Sequence, residues 1–135
     1  MKRLIVSLLA VLCVFILSGC GRSSEFGVVD MGKVEKEGKQ IVVIKEEGIK
    51  ELEKIEKDLN AAIKGKADSK KEEIIAEYRA KAQIVQSNMS GRIRNQLERV
   101  IHQVAQQKKL GAVLLKEAVP NGGIDITADV LEQLK

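Results

Sequence analysis

The feature that most limits how this chain can fold is a narrow apolar stripe that runs, with one interruption, from residue 33 to residue 109. Apolar residues recur there every three or four positions, the spacing of one face of an α-helix, and charged residues fill the positions between them. The first half of the stripe consists of Ile41, Ile44, Gly48, Leu52, Ile55, Leu59 and Ala62. The second half consists of Ile74 or Ile75, Tyr78, Ala82, Val85, Met89, Ile93, Leu97, Val100 and Val104. Such a stripe suits the seam between two long helices, but it is too narrow for a globular core.

The interruption predicts a reversal of the chain. Gly65 is a typical C-terminal stop for a helix, and Asp68 or Ser69 is a suitable N-cap for the next one. Ser69 and Glu72 also have the spacing of a capping box. We therefore expect residues 33–109 to form a coiled-coil helical hairpin, which we call the arm.

The segments on either side of the arm have the composition of strands. Phe26–Met31 is apolar and β-branched and is closed by Gly32, and Ala112–Val119 has the same character. A turn at 120–123 and a further short strand at 124–126 are predicted to follow.

The last residues predict a short helix, 128–134, with Thr127 as its N-cap. Because the first strand has no neighbour nearby in sequence, the two ends of the chain must meet to make a sheet. The predicted fold class is α+β, with the helical hairpin projecting from a small β body. That body consists of residues 26–32 and 110–135 and includes the C-terminal helix.

The first residues have the pattern of an export signal. Lys2 and Arg3 precede an apolar run from Leu4 to Leu17, broken only by Ser7, which is shorter than the roughly 18–20 residues of a membrane-spanning helix. The tetrad Leu17-Ser18-Gly19-Cys20 resembles the processing site of bacterial lipoproteins. This resemblance implies a signal peptide at 1–19, acylation of Cys20 and a polar tether at 20–25. An uncleaved anchor is the weaker alternative.

The composition excludes several classes of function. After removal of the signal, Phe26 and Tyr78 are the only aromatic residues, too few for a base-stacking surface, and we expect no nucleic-acid partner. His102 is the only histidine and has no cysteine to pair with, so we expect neither a metal nor another cofactor. No group of residues has the composition of a catalytic site, and we expect the protein not to be an enzyme.

Basic residues are unevenly distributed along the arm. Lysines surround the predicted hairpin turn, and the segment 79–109 contains seven bases but only one acid, Glu98. Positive potential attracts acidic unfolded chains and anionic lipid head groups reversibly. The candidate client or lipid contacts are Lys64, Lys66, Lys70, Lys71, Arg79, Lys81, Arg92, Arg94 and Arg99. Imperfectly packed apolar residues of the arm are expected to add exposed patches, and the candidates are Ile74, Ile75, Val85, Met89 and Ile93.

Three segments resemble the Skp (OmpH-like) family of periplasmic chaperones. They are Gly27–Val34 (GVVDMGKV), Lys108–Val119 (KKLGAVLLKEAV) and Asp125–Leu131 (DITADVL), and the last is the most specific. The resemblance implies a homotrimer in which terminal strands form a β body and three arms surround a cavity. The residues it assigns to the trimer body are Val28, Val29, Met31, Val113, Leu114, Leu115, Ile126, Val130 and Leu131.

The function that the resemblance implies is that of a periplasmic holdase, which binds unfolded outer-membrane proteins between its arms without ATP. This chain departs from the family in having Glu35 where an aromatic residue is usual, Pro120 after the second strand, and a lipid anchor. We expect the anchor to lie in the outer membrane rather than the inner one, because Gly21 follows the acylated cysteine. The alternative is a structural coiled-coil lipoprotein or a stator-like stalk, which would need neither the turn at Gly65 nor the strands at 112–126.

Overall fold

A computed structural model describes residues 25–135, and two long helices dominate that part of the chain. It is mostly helical, with a small sheet and a short last helix, as the sequence predicts. The helices are α1 (Met31–Glu37), α2 (Lys39–Ile63), α3 (Asp68–Gln107) and α4 (Thr127–Gln133). The strands are β1 (Phe26–Val29), β2 (Ala112–Leu115) and β3 (Ile124–Asp125), and a 3₁₀ turn (Lys116–Ala118) follows β2. The predicted signal peptide, Cys20 and most of the tether lie outside the described residues.

Helices α2 and α3 lie against each other in opposite directions. The Arg92 guanidinium of α3 donates to the Glu47 carboxylate of α2 at 2.7 Å, and Met89 packs directly over Gly48. The chain reverses between the helices at Gly65, whose φ of +73° is left-handed, a conformation that glycine adopts without strain. The reversal predicted from Gly65 is confirmed.

The three strands form one parallel sheet in the order β2-β1-β3, with β1 in the centre. Phe26 is opposite Ala112 and Gly27 is opposite Ile124, so the two ends of the described chain meet as predicted. Parallel strands need a long crossover, and between β1 and β2 the whole helical arm provides it.

The core lies where the sheet, α1 and α4 pack against the last third of α3. The buried cluster consists of Val29, Val34, Ile41, Leu97, Val100, Val104, Ile126, Val130 and Leu134. Ile41, Leu97, Val100 and Val104 of the predicted stripe therefore belong to the core of the body, and most of the remainder lies farther out along α2 and α3.

The beginning of the first predicted helix is wrong. The strand ends at Val29 rather than Met31, because the Asp30 carboxylate accepts the Lys33 N–H at 2.8 Å and caps α1. Gly38 then separates α1 from α2. A side chain at Gly38 would come within 2.7 Å of the Val34 carbonyl oxygen, so the two helices can approach only with glycine between them.

The capping box predicted at Ser69 and Glu72 is also wrong. The N-cap of α3 is Ala67, which makes no side-chain hydrogen bond. Asp68 lies in the first turn, where a negative charge favours the helix dipole, and its carboxylate accepts from the Lys71 ammonium at 2.9 Å.

At its other end α3 stops two residues before the predicted end of the arm at residue 109. The helix ends at Gln107, and Lys109 rather than Gly111 adopts the left-handed conformation, with φ of +56°. Gly111 instead donates its N–H to the Glu25 carbonyl at 2.9 Å, which starts the sheet.

Two assignments near the C-terminus need correction. The strand predicted over 112–119 ends at Leu115, where the chain enters the 3₁₀ turn and Lys116 reaches the Asp125 carboxylate at 2.6 Å. Thr127 is not an N-cap but the first residue of α4. Its hydroxyl donates to Asp125 at 2.6 Å and accepts the Asp30 N–H at 3.0 Å, a partner 97 positions away in sequence.

Candidate binding groove

An apolar groove of about 710 Å³ lies between β2 and the half of the arm that is nearer to the sheet. Its walls come from β1, α1, α2, α3 and β2, so it exists only where the sheet meets the arm. The apolar residues that line it are Val29, Met31, Ile49, Met89, Ile93, Leu97, Ile101, Val113, Leu114 and Leu115. We call it the body groove.

The body groove contains large apolar side chains that remain accessible to solvent. Ile49 and Leu115 are each 50% exposed, and Leu114 is 44% exposed. An isolated exposed leucine is ordinary, but a contiguous apolar surface on one side of a small protein is typical of a binding surface. The groove is therefore the strongest candidate for contact with another polypeptide.

The lower wall of the groove is an open strand edge. Strand β2 pairs only with β1, so within residues 25–135 its outer edge has no neighbouring strand. Such an edge presents unpaired backbone N–H and C=O groups that can pair with another chain. Val113 and Leu115 lie on the same face of this strand, since side chains alternate between faces.

The upper wall depends on the close approach of α2 and α3. A Cβ atom on Gly48 would lie 2.5 Å from the Met89 sulfur, so glycine at this position lets Met89 lie flat against α2. The groove's apolar floor continues from there through Ile93 to Leu97. The small residue predicted within the stripe thus sets the distance between the two helices beside the groove.

Charged groups border the groove. The Lys45 ammonium donates to the Glu35 carboxylate at 3.1 Å and to the Glu35 carbonyl oxygen at 3.3 Å. Arg94 and Glu98 border the groove from α3. The rim carries both signs of charge, which suits a polar border around an apolar centre.

A polar network connects residues at the carboxyl ends of the strands. The Asp125 carboxylate accepts from Lys116, from the Thr127 hydroxyl and from the Thr127 N–H, the last at 3.0 Å. The hydrogen bond from Lys116, followed by those from Thr127, lowers the pKa of Asp125 well below its ordinary value. The same hydrogen bond raises the pKa of Lys116. Together these contacts connect the residue that follows β2 and the end of β3 to the beginning of α4.

The predicted basic contacts do not form one patch. Lys64, Lys66 and Lys70 are exposed around the hairpin turn, whereas Arg94 borders the body groove about 36 Å farther along α3. Three others are partly neutralised by acids: Lys71 by Asp68, Lys81 by Glu77 at 2.6 Å and Arg92 by Glu47. Arg79 is exposed, and Arg99 donates to the Gln96 side chain at 2.9 Å.

One of these cations shows a clear electrostatic effect. The hydrogen bond that Lys81 donates to Glu77 raises the pKa of Lys81, and the Lys81 ammonium also lies 4.5 Å from the centre of the Tyr78 ring. Both contacts favour the charged form of this lysine. Lys81 is therefore held against its own helix rather than directed toward a partner.

The residues assigned to the trimer body fall into three groups. Val28, Val29, Ile126 and Val130 are buried within the subunit, and Met31, Val113 and Leu131 are partly buried. Leu114 and Leu115 are exposed. Only the last two leave about half of their surface accessible for contact with another molecule.

The expected exposed patch on the arm is wrong in one member and incomplete. Val85 is buried, at 8% exposure, between the helices, whereas Ile84 beside it is 60% exposed. Ile49, which helps to line the body groove, was not among the predicted contacts. The signal that points to it is an isoleucine outside the regular stripe, next to the buried Gly48.

None of the helices in residues 25–135 has both the length and the hydropathy that a membrane span needs. In the same stretch of chain, His, Cys, Asp and Glu side chains nowhere gather in threes in a way that would hold a metal ion. No protein-family model matches this chain, and no curated protein matches it either.

Proposed function

We propose that the protein is an ATP-independent holdase of the periplasm, related to the Skp (OmpH-like) chaperones and anchored to the outer membrane through an acylated Cys20. The observation that carries this proposal is the body groove, an accessible apolar surface that extends from an open strand edge to the arm. A holdase needs such a surface, because its clients are unfolded chains with exposed apolar side chains. Unfolded outer-membrane proteins, whose strands alternate apolar and polar residues, are the proposed clients.

The two walls of the groove have separate roles in this proposal. The lower wall, Leu114 and Leu115 on the open edge of β2, contacts a neighbouring copy in a homotrimer. The upper wall, which includes Ile49, Met89 and Ile93, faces the space between the arms and contacts the client. In the assembly α2 and α3 wind around each other as a coiled coil, and three arms bind one client through many weak contacts.

The basic residues of the arm assist this binding by long-range attraction. Lys64, Lys66 and Lys70 are exposed and make no ion pair within the described chain. They attract acidic segments of a client, and the attraction weakens as salt screens it. The apolar groove then supplies the contacts that salt does not weaken.

The structural-stalk alternative has less support. A stalk gains from one uninterrupted helix, whereas this chain reverses at Gly65. It also has no use for an apolar groove beside a sheet edge.

A matched pair of substitutions tests the holdase. Ile49 and Val43 are both β-branched, both lie on α2 and both are 50% exposed, but only Ile49 lines the groove. The full chain should delay aggregation of an unfolded β-barrel protein diluted from denaturant at an equimolar ratio. Ile49→Asn should weaken this effect several-fold and Val43→Asn should leave it unchanged. No delay by the unmodified chain, or equal losses in the two variants, would contradict the proposal.

The trimer is tested separately by native mass spectrometry. Leu115→Asp places a charge on the open edge of β2, at a site 50% exposed in the subunit, so that the subunit should still fold. We expect three copies for the unmodified chain, fewer for Leu115→Asp and three for Val43→Asp. A single copy of the unmodified chain refutes the trimer.

A further inference from the structure

Within residues 25–135, the chain enters the sheet at the end of the structure where α3 finishes. The Glu25 carbonyl accepts the Gly111 N–H at 2.9 Å, just beyond the end of α3 at Gln107. The turn before β3 lies at the same end, because Gly123 is packed against the Phe26 ring. We call this end the base: Glu25, Phe26, residues 108–111 and the turn 120–123.

The hairpin turn lies at the opposite end. Helix α3 contains 40 residues and runs the whole way from the turn at 64–67 to the base. At about 1.5 Å per residue it separates the two ends by about 60 Å. We call the turn, with its exposed Lys64, Lys66 and Lys70, the tip.

The proposed anchor can reach only one of these ends. Five residue steps separate Cys20 from Glu25, and fully extended chain covers at most about 18 Å over that distance. An acylated Cys20 therefore keeps the base within about 18 Å of the membrane. In a closed trimer three such tethers leave the same end of one assembly, so the threefold axis stands upright on the bilayer.

The tether rather than charge sets this orientation, because the base carries both signs of charge: Lys109 and Glu25 are both exposed there. The tip is several Debye lengths from the bilayer, since that length is about 8 Å at physiological salt. Its lysines therefore receive almost no attraction from the membrane that holds the base.

We propose that the anchored protein stands on its base, with the arms directed away from its own membrane, and that the tip lysines bind acidic segments of client chains and not the anchoring lipid. This inference rests on the proposed acylation and trimer. It divides the predicted client or lipid contacts by position: lipid head groups contact the base, and the client contacts the tip.

The orientation is tested with single labels on the acylated full chain in vesicles. Because Cys13 leaves with the signal and the Cys20 thiol carries lipid, an introduced cysteine is the only reactive thiol. Asn121→Cys labels the base and Lys66→Cys labels the tip; both positions are exposed in turns. With an energy acceptor on the lipid head groups, transfer from residue 121 should be several-fold more efficient than transfer from residue 66. Equal transfer, or more efficient transfer from the tip, overturns the orientation.

A second measurement concerns the partner of the tip. Reversing the charge of Lys64, Lys66 and Lys70 to Glu should reduce binding of an acidic unfolded segment several-fold at low salt. The transfer from residue 121 should not change. Unchanged binding overturns the role of the tip.

The outcomes separate this inference from the proposed function. If the chain delays aggregation and floats with vesicles but both labels transfer equally, the holdase stands and the orientation is wrong. If the unmodified chain fails to float, or floats no better than Cys20→Ser, the anchor and the orientation are both wrong. In that case the aggregation assay still decides the holdase.

Discussion

The contact of Gly48 with Met89 leads to a prediction about two glycines in the arm. Gly48 lies in the middle of α2 and Gly91 lies in the middle of α3, close to the same level of the arm. Replacing a glycine within a helix by alanine normally stabilises it by about 0.5–1 kcal/mol, because alanine loses less conformational freedom on folding. From conformational freedom alone, the two substitutions should stabilise the protein equally.

Their surroundings distinguish them. A Cβ at Gly91 has open space, with no atom within 4 Å, whereas a Cβ at Gly48 meets the Met89 sulfur at 2.5 Å and its Cγ at 3.1 Å. Forcing extra volume into a close contact costs about 1–3 kcal/mol, and the cost here is at the lower end because the flexible, partly exposed Met89 side chain can shift. Gly91→Ala should therefore stabilise the protein by about 0.5–1 kcal/mol, and Gly48→Ala should change its stability by between about 0 and 2 kcal/mol in the destabilising direction.

Thermal unfolding followed by far-UV circular dichroism, at one protein concentration, measures the difference. One kcal/mol corresponds to about 4–8 °C in Tm for a domain of this size, so the two variants should differ by at least about 4 °C. The double variant Gly48→Ala/Met89→Ala should lose less stability than the sum of the single losses, since the clash is then gone. If Gly48→Ala raises Tm as much as Gly91→Ala does, the helices are not packed as closely as described and the reasoning is refuted.

Two further predictions concern the body. Val104→Ala removes two methyl groups from a fully buried side chain and leaves a cavity, so it should lower the free energy of unfolding by about 2–3 kcal/mol. The control Val43→Ala changes an exposed side chain and should lower it by less than about 0.5 kcal/mol. Urea unfolding measures both, and equal losses would place Val104 outside the core. Asp125→Asn should cost about 1 kcal/mol at pH 7, because the half-exposed pair with Lys116 is partly screened. Since folding lowers the pKa of Asp125, the stabilisation by this carboxylate is present above its ordinary pKa of 3.8 and is lost as pH falls below that value. The difference in free energy of unfolding between the unmodified protein and Asp125→Asn should therefore decrease below about pH 4. A difference that does not change with pH would exclude the Asp125 carboxylate as its source.

The two long helices could be predicted from the sequence because their signal is long and periodic. The stripe residues Ile41 and Gly48 are buried as expected, and the positive φ of Gly65 follows from the one glycine between two strongly helical stretches. The meeting of the two ends could also be predicted, because a strand as short as β1 must find a partner elsewhere.

The parts that could not be predicted depend on contacts between distant residues. Thr127 has the sequence signature of an N-cap, but its hydroxyl instead accepts from Asp30 and donates to Asp125. In the sequence, Gly38 is no different from any glycine that weakens a helix. The structure shows that a Cβ at this position would lie 3.0 Å from the Leu134 side chain, a contact between residues far apart in sequence. Strand order is equally hidden, since two to four residues carry no information about direction or neighbours.

The groove was missed for a related reason. Its lining residues come from five elements, and most of them have a second role in the seam or the sheet. Sequence periodicity assigns Met89 and Leu97 to the interior without showing that one side of them stays accessible. Ile49 and Ile101 both depart from the pattern, and isolated off-stripe isoleucines are too common to identify a surface.

The wide separation of β1 and β2 in sequence also sets an order of folding events. Helices α2 and α3 are joined by a short turn, so they can pair through local contacts soon after they are synthesised. Strand β1 is made earlier than either helix, yet Phe26 must wait for Ala112 before it gains a neighbour on that side. During this interval Val28 and Val29 remain exposed. A chain truncated before Ala112 should therefore keep its helical circular dichroism but expose an unpaired strand that aggregates with other incomplete chains.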